Sequence, residues 1–259
     1  MAQYIEVEQA IGMAGLRVVL TPGVPGPWSE SAKGILHVKR IPYVKVRQIV
    51  AAPNEDLRKW TAQETAPAFI YNDERPRSLW IDQLYLAERI APQPALIPAN
   101  LEDRTRMFGL ANELCGENGF GWARRLMLLH ESLNDPKLPE ASKSFSSFLG
   151  AKYGYEPRQA EAAPERIADI LTSLASQLDT QRAMGSRFLI GDRLSALDIY
   201  WACFAALLRP LPEDLCAMPH GFRKMYTCGD PTVMRAAAPE LFDHRDRIYR
   251  EYLELPVDL

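Results

Sequence analysis

Histidines, cysteines and one glycine cluster are the residues of this chain best able to do chemistry, and their spacing narrows what that chemistry can be. His37, His130, His220 and His244 lie far apart with no i, i+4 pair, which argues against metal ligation and against a histidine-based triad. Cys115, Cys203, Cys216 and Cys228 show neither CxxC spacing nor close metal-like pairing, and none precedes Cys115. Free buried thiols in a reducing cytoplasm are the expectation, with no metal site and no redox pair. Gly116, Gly119 and Gly121 do not follow a strand, so a dinucleotide fingerprint is rejected, and there is no P-loop.

Composition excludes further classes. The chain has 259 residues, about one and a half to two average domains. Hydrophobic residues make up 47% and charged residues 24%, the balance of a globular protein rather than of a disordered or fibrous one. A net charge of -3 leaves no large positive field, so nucleic acid is not an expected partner. No apolar run is long enough to span a membrane, and Glu6 and Glu8 stand where an export signal needs a basic start.

The elements that must position any site follow from period and punctuation. Leu16–Leu20 is a β-branched apolar run stopped by Thr21-Pro-Gly-Val-Pro-Gly26, which reads as a strand and then a loop. From Pro27 the apolar residues Trp28, Ala32, Ile35 and Leu36 recur at helical spacing, and Pro27 suits a first helical position. Tyr43–Val46, continuing toward Val50, is a second strand, so the opening is a βαβ unit. A helix over 54–60, a hairpin of 68–71 and 75–79, and a helix carrying Ile81, Leu84, Ala87 and Ala91 complete a βαβ-α-ββα order. Residues 1–15 read as an extension before it.

Pro92, Pro94 and Pro98 mark a linker, giving a first domain over 1–93 and a second over 99–259. The second is helical throughout: one long or broken helix over 101–133, one over 164–184 with Ile167, Ile170, Leu171, Leu174 and Leu178 on one face, one over 196–208 and one over 239–253. Three glycines in the six residues 116–121 are costly inside a helix and predict a kink or a close approach there. Ser195 and Asp198 are spaced for a capping box at the start of the third.

Three segments resemble the cytosolic glutathione transferase superfamily. Gly26-Pro-Trp-Ser-Glu-Ser-Ala-Lys33, with Arg40-Ile-Pro-Tyr43, is similar to that family's first-helix start and its entry to the second strand. Thr65-Ala66-Pro67 is similar to its cis-proline element, and Phe188-Leu-Ile-Gly-Asp-Arg-Leu-Ser-Ala-Leu-Asp198 to its helix-capping segment, with Leu197 where Ala is usual. The resemblance implies an N-terminal thioredoxin-like domain that binds glutathione, followed by an all-helical domain that shapes the pocket for a second substrate.

Site residues come from the same resemblance. Glutathione chemistry needs a thiolate, favoured by a helix N-terminus and by a hydroxyl donating to the sulfur. The position directly before Pro27, where the family has Ser or Cys, is Gly26. That leaves Ser29 as the favoured catalytic hydroxyl and Thr21 as its rival, while Ser29 also fits a first-turn serine that satisfies a helix-end backbone group. Pro27, Trp28, Ala66, Pro67, Asp82 and Gln83 are the implied glutathione-binding residues. Asp82 would pair with the γ-glutamyl amino group, or serve as a plain first-turn acid. Phe120, Trp122 and Arg125 are candidates for the second-substrate pocket, Arg125 being able to hold an acidic group; an amphipathic helix with Trp122 in the core and a solvated Arg124-Arg125 face is the alternative.

The function implied is conjugation of glutathione to a hydrophobic electrophile, a detoxifying transferase of the cytoplasm, homodimeric by analogy. A non-catalytic binding or scaffold protein on the same fold, suggested by Gly26 and Gln83, is the first alternative. A glutathione-dependent lyase cleaving aromatic ethers is the second.

Overall fold

The computed structural model describes residues 3–259. Strand β1 (Leu16–Leu20) is buried at all five positions, as a strand covered on both faces must be. It pairs in parallel with β2 (Tyr43–Arg47), Leu16 opposite Tyr43, and antiparallel with β3 (Ala68–Tyr71), Val19 opposite Ala68, in the order β2-β1-β3. Single bridges finish both edges. Phe69 pairs with Arg77, so the returning hairpin strand expected over 75–79 shrinks to one residue beside Pro76. Ile5 pairs with Val46, which ties the segment before β1 to the sheet edge at that point; it continues into a short helix, α1 (Val7–Ala10), whose Val7 and Ala10 pack with Val19, Val46 and Ile70 of the sheet.

Helix α2 (Pro27–Val38) connects β1 to β2, α3 (Glu55–Thr61) follows β2, and α4 (Trp80–Ile90) closes the first unit. Pro27 occupies the first helical position of α2, where its missing N–H costs nothing. From Ala91 to Asn100 the chain has no helix or strand. It is nevertheless held: buried Lys39 donates to the carbonyls of Ala91 (2.6 Å) and Pro94 (2.8 Å), and Leu96 O accepts from Ala196 N at 2.9 Å.

The remainder is helical: α5 (Leu101–Cys115), α6 (Phe120–Asn134), α7 (Glu140–Lys152), α8 (Pro157–Ala183), α9 (Ala196–Phe204), α10 (His220–Tyr226), α11 (Pro231–Ala236) and α12 (Pro239–Tyr252). Of the long or broken helix expected over 101–133, the broken form is found, as two helices interrupted at 116–119. A Cβ on Gly119 would meet Glu113 O at 2.6 Å, so the turn closes only with glycine there. Helix α8 starts at Pro157, seven residues before Pro164, and runs through that proline. Helix α9 ends at Phe204 and tightens into a 3₁₀ turn over Ala205–Leu207.

Helix α9 is buried at all nine positions and forms the centre of the molecule. Its start is the expected capping box. The Asp198 carboxylate accepts from Ser195 N (2.9 Å), Ser195 Oγ (2.8 Å) and Leu189 N (2.8 Å), and lies 2.9 Å from His244 Nε2 on α12. Helices α2 and α9 cross closely at Gly34, where a Cβ would sit 3.0 Å from Ile199 Cγ2 and 3.1 Å from Leu253 Cδ2. One apolar core therefore runs without interruption from β1 and α2 into α5, α8, α9 and α12. The C-terminal residues return over α2: Lys33 Nζ donates to Asp258 O, and Lys45 Nζ meets Asp258 Oδ2, each at 2.5 Å.

Candidate functional site

The parallel strands β1 and β2 end side by side, and the loop 21–26 carries the chain from there into the N-terminus of α2. The antiparallel register that sets Val19 opposite Ala68 brings Ala66 and Pro67 to this same end of the sheet. Such crevices at the carboxyl ends of strands are where open α/β folds place ligands. Gly26 is the N-cap of α2 and supplies no side-chain hydrogen bond, and a Cβ built on it meets nothing within 4 Å. The first-turn N–H groups of α2 therefore have no capping side chain, and there is room beside the N-cap.

Two hydroxyls stand near this end. Thr21 Oγ1 donates to Gln48 Oε1 at 2.5 Å, and the Gln48 amide donates to the carbonyls of Ile49 and Glu64, so Thr21 is tied into a network that pins the neighbouring loops. Ser29, third residue of α2, is 8% exposed, and its hydroxyl has no hydrogen-bond partner among the described residues.

The Ala66–Pro67 peptide is cis. Neither the N–H nor the C=O of Ala66 has a backbone partner among the described residues, which leaves a donor and an acceptor side by side at the sheet end. Gln83 lies behind this segment, not in front of it. It is buried, and its amide donates to Pro67 O (3.1 Å) and Arg77 O (3.2 Å). Both amide hydrogens are used internally, so Gln83 fixes the proline segment onto α4 and has none left for a ligand. Helix α4 opens at Trp80 with Leu79 as an N-cap that has no capping side chain, and Asp82 lies in its first turn, 3.6 Å from Arg75, as the first-turn-acid reading expects.

The helical half supplies the opposite wall. Trp28 turns its indole away from the sheet end: Nε1 donates to Cys115 O at 2.9 Å, and the ring packs edge-on to Phe204 at 4.9 Å. Gly121 allows this, because a Cβ there would meet Phe204 Cε1 at 2.5 Å and Trp28 Cη2 at 2.8 Å. Phe120, expected in the second-substrate pocket, is fully buried against Trp201 and belongs to the core. Its neighbour Arg124 is also buried and donates to Leu207 O and Met225 O, which excludes a solvated Arg124-Arg125 face. Trp122 is half-buried, edge-on to Tyr153. The Arg125 guanidinium lies among three rings, 4.6 Å from the centroid of Trp28, 5.1 Å from Trp122 and 4.1 Å from Tyr153. Across the crevice, Lys152 at the end of α7 pairs with Glu64, two residues before Ala66, at 3.3 Å.

The thiols take no part. All four cysteines are free and buried; burial pushes Cys203 up to about 12 and Cys115 well above its ordinary value. Among the described residues no group of three or more His, Cys, Asp or Glu is placed to hold a metal, and no helix is long and apolar enough to cross a membrane.

Residues 157–247 match the family model of the glutathione S-transferase C-terminal domain. A glutathione S-transferase domain-containing protein from Marinobacter aquaeolei superposes with a TM-score of 0.61 at 17% identity, over 91% of this chain and 98% of that one. This is a glutathione S-transferase fold. A rice glutathione S-transferase solved in complex with glutathione shares the fold at a TM-score of 0.59 and 16% identity, covering 93% of both chains. A β-etherase from Sphingobium follows at 0.55 and 16%, over 90% of this chain and 99% of that one. No curated protein sequence matches the chain.

Three residues of this glutathione S-transferase fold that border the crevice were invisible in the sequence: Glu64, Lys152 and Tyr153. They meet Trp28, Arg125 and the Ala66 loop only through the docking of α7, and no local spacing signals that.

Proposed function

We propose that the protein is a glutathione-dependent transferase that adds glutathione to a hydrophobic electrophile at the crevice between the 1–93 and 99–259 units. The observation that carries this reading is the unpaired backbone N–H and C=O of Ala66, facing the same sheet end as the open N-terminus of α2. An extended peptide can use such an edge as a further strand. The residues fit glutathione. Ala66 offers the two backbone bonds for its cysteinyl unit, Pro67 and Gln83 hold that edge in place, and the uncapped N-terminus of α4 suits its terminal carboxylate.

Bound glutathione supplies a thiol nucleophile. The chain's part is to favour the thiolate: Ser29 donates its free hydroxyl, and the α2 N-terminus adds the positive end of the helix dipole. A hydrogen bond to a charged group is worth about 1.5–3 kcal/mol, which corresponds to roughly one to two units of thiol pKa. The helical half excludes water and binds the second substrate. A cytoplasmic detoxifying role and a homodimer go with this reading, the latter supported by the exposure of the apolar Leu79, Tyr85 and Leu101 on α4, α5 and the loop before α4.

A non-catalytic binding protein is the second reading, favoured by Gly26, which brings no side chain to the position before Pro27. Calorimetric titration with glutathione, followed by a conjugation assay with a chlorodinitroarene, separates the two. The transferase reading expects millimolar or tighter binding and turnover that falls at least tenfold in Ser29→Ala. Binding without turnover supports the second reading, and absence of binding removes both.

A further inference from the structure

We infer that Arg125 anchors the carboxylate of an aromatic acid, so that the second ligand of this site is a planar aromatic carboxylate and not a neutral hydrophobe; this rests on the placement of the second-substrate wall proposed above. Arg125 differs from its neighbour in how its charge is met. Arg124 donates to two backbone carbonyls and lies 3.4 Å from Glu131. Arg125 has no carboxylate within 4 Å and no hydrogen bond to any described residue, although it is mostly buried. The ionisable groups that face it are the phenols of Tyr153 and Tyr226; burial pushes Tyr226 up to about 12, so that phenol supplies no counter-charge at neutral pH.

A desolvated charge without a partner is costly, and the three rings offset only part of that. Five N–H donors remain unmet. None of the Arg125 nitrogens is among the fully enclosed, unpartnered polar atoms, so these donors reach space that solvent can enter.

That combination selects a ligand class. A lone guanidinium with free edges matches one planar carboxylate through two parallel hydrogen bonds, which is the geometry at which arginine excels. A polyanion such as a nucleotide would call for further cations, and the guanidinium is surrounded instead by the rings of Trp28, Trp122 and Tyr153, an aromatic setting. They suit the flat body of an aromatic acid, through offset or edge-on packing.

The test uses 2-naphthoate and its neutral isostere 2-naphthamide, titrated into the full chain without glutathione and followed by tryptophan fluorescence and calorimetry at low ionic strength. The wild-type protein is expected to bind the acid at least tenfold more tightly than the amide. Arg125→Met should bring the two affinities together, and Arg125→Lys should keep part of the preference. Equal affinities in the wild type, no binding of either probe, or a preference that survives Arg125→Met would overturn the inference. The wild-type ratio decides even where a variant fails to fold. A separate glutathione titration tells the two readings apart: glutathione binding without acid preference defeats only this inference, and acid preference without glutathione binding defeats only the transferase reading.

Discussion

Replacing Gly121 by alanine probes the packing that sets the back wall of the crevice. The added methyl carbon would stand 2.5 Å from Phe204 Cε1 and 2.8 Å from Trp28 Cη2, whereas carbon atoms pack comfortably at about 3.5–4 Å. One or both rings must retreat by roughly 1 Å. Neither is free to do so, because they pack edge to face at 4.9 Å and Trp28 Nε1 is bonded to Cys115 O at 2.9 Å. Overpacking of this kind costs about 1–3 kcal/mol, and loss of the indole hydrogen bond adds about 1 kcal/mol. The expected total is about 2–4 kcal/mol, or a fall of roughly 5–10 °C in Tm for a chain of this size. Gly109→Ala is the control. Gly109 lies within α5 with nothing within 4 Å of a built Cβ, so alanine there should stabilise by about 0.5–1 kcal/mol. Urea unfolding and calorimetry on the three proteins give the comparison. If Gly121→Ala stays within about 0.5 kcal/mol of wild type, or the two variants behave alike, the rigid contact between α2, α6 and α9 is refuted.

Other outcomes follow from the same contacts. Asp198→Asn sets an amide N–H₂ against donors that its carboxylate now satisfies at 0% exposure, and should cost about 3 kcal/mol or more in equilibrium unfolding; a change under about 1 kcal/mol would contradict the network. The hydrogen bond from Lys45 holds the Asp258 carboxyl below its usual range, so its stabilisation is present above an unfolded value of about 3.9 and is lost as pH falls through the lower folded value. The stability difference between wild type and Asp258→Asn, at most about 1 kcal/mol at this partly exposed site, should therefore hold above about pH 5 and fade toward pH 2–3. Iodoacetamide at pH 8 should leave the native thiols unmodified and label all four cysteines in denaturant; rapid native labelling of Cys115 or Cys203 would mean that their burial is wrong.

Much of the fold was legible because local chemistry and fold agree at its key junctions. Pro27 at a helix start, the all-apolar β1 run and the Ser195–Asp198 spacing each point to one local structure, and each forms as read. Legibility failed where an element lacks its own signal. Helices α10 and α11 have seven and six residues, too few for a period, and α7 exposes Phe145 and Phe148, so its apolar spacing does not trace a buried face. Gln83 reads as facing a ligand because its position in the first turns of α4 is legible, whereas the carbonyls of Pro67 and Arg77 that take up its amide are brought to it only by the fold. Phe120 and Arg125 are five residues apart on one helix and share the same local pattern. Only the docking of α9 on one side and of Tyr153 on the other sends the first into the core and leaves the second at the crevice. The hydroxyls were ambiguous in sequence as well, and the partner that occupies Thr21 is Gln48, far along the chain.

The most direct measurement is the pH titration of the thiolate absorbance of glutathione bound to the wild-type protein and to Ser29→Ala. The account predicts a thiol pKa at least one unit below that of free glutathione in the wild type, rising by roughly one to two units in the variant while glutathione affinity is retained. A bound thiol that titrates like the free one, or a depressed value that Ser29→Ala leaves unchanged, would contradict the assignment of Ser29 and the α2 N-terminus as the thiolate site.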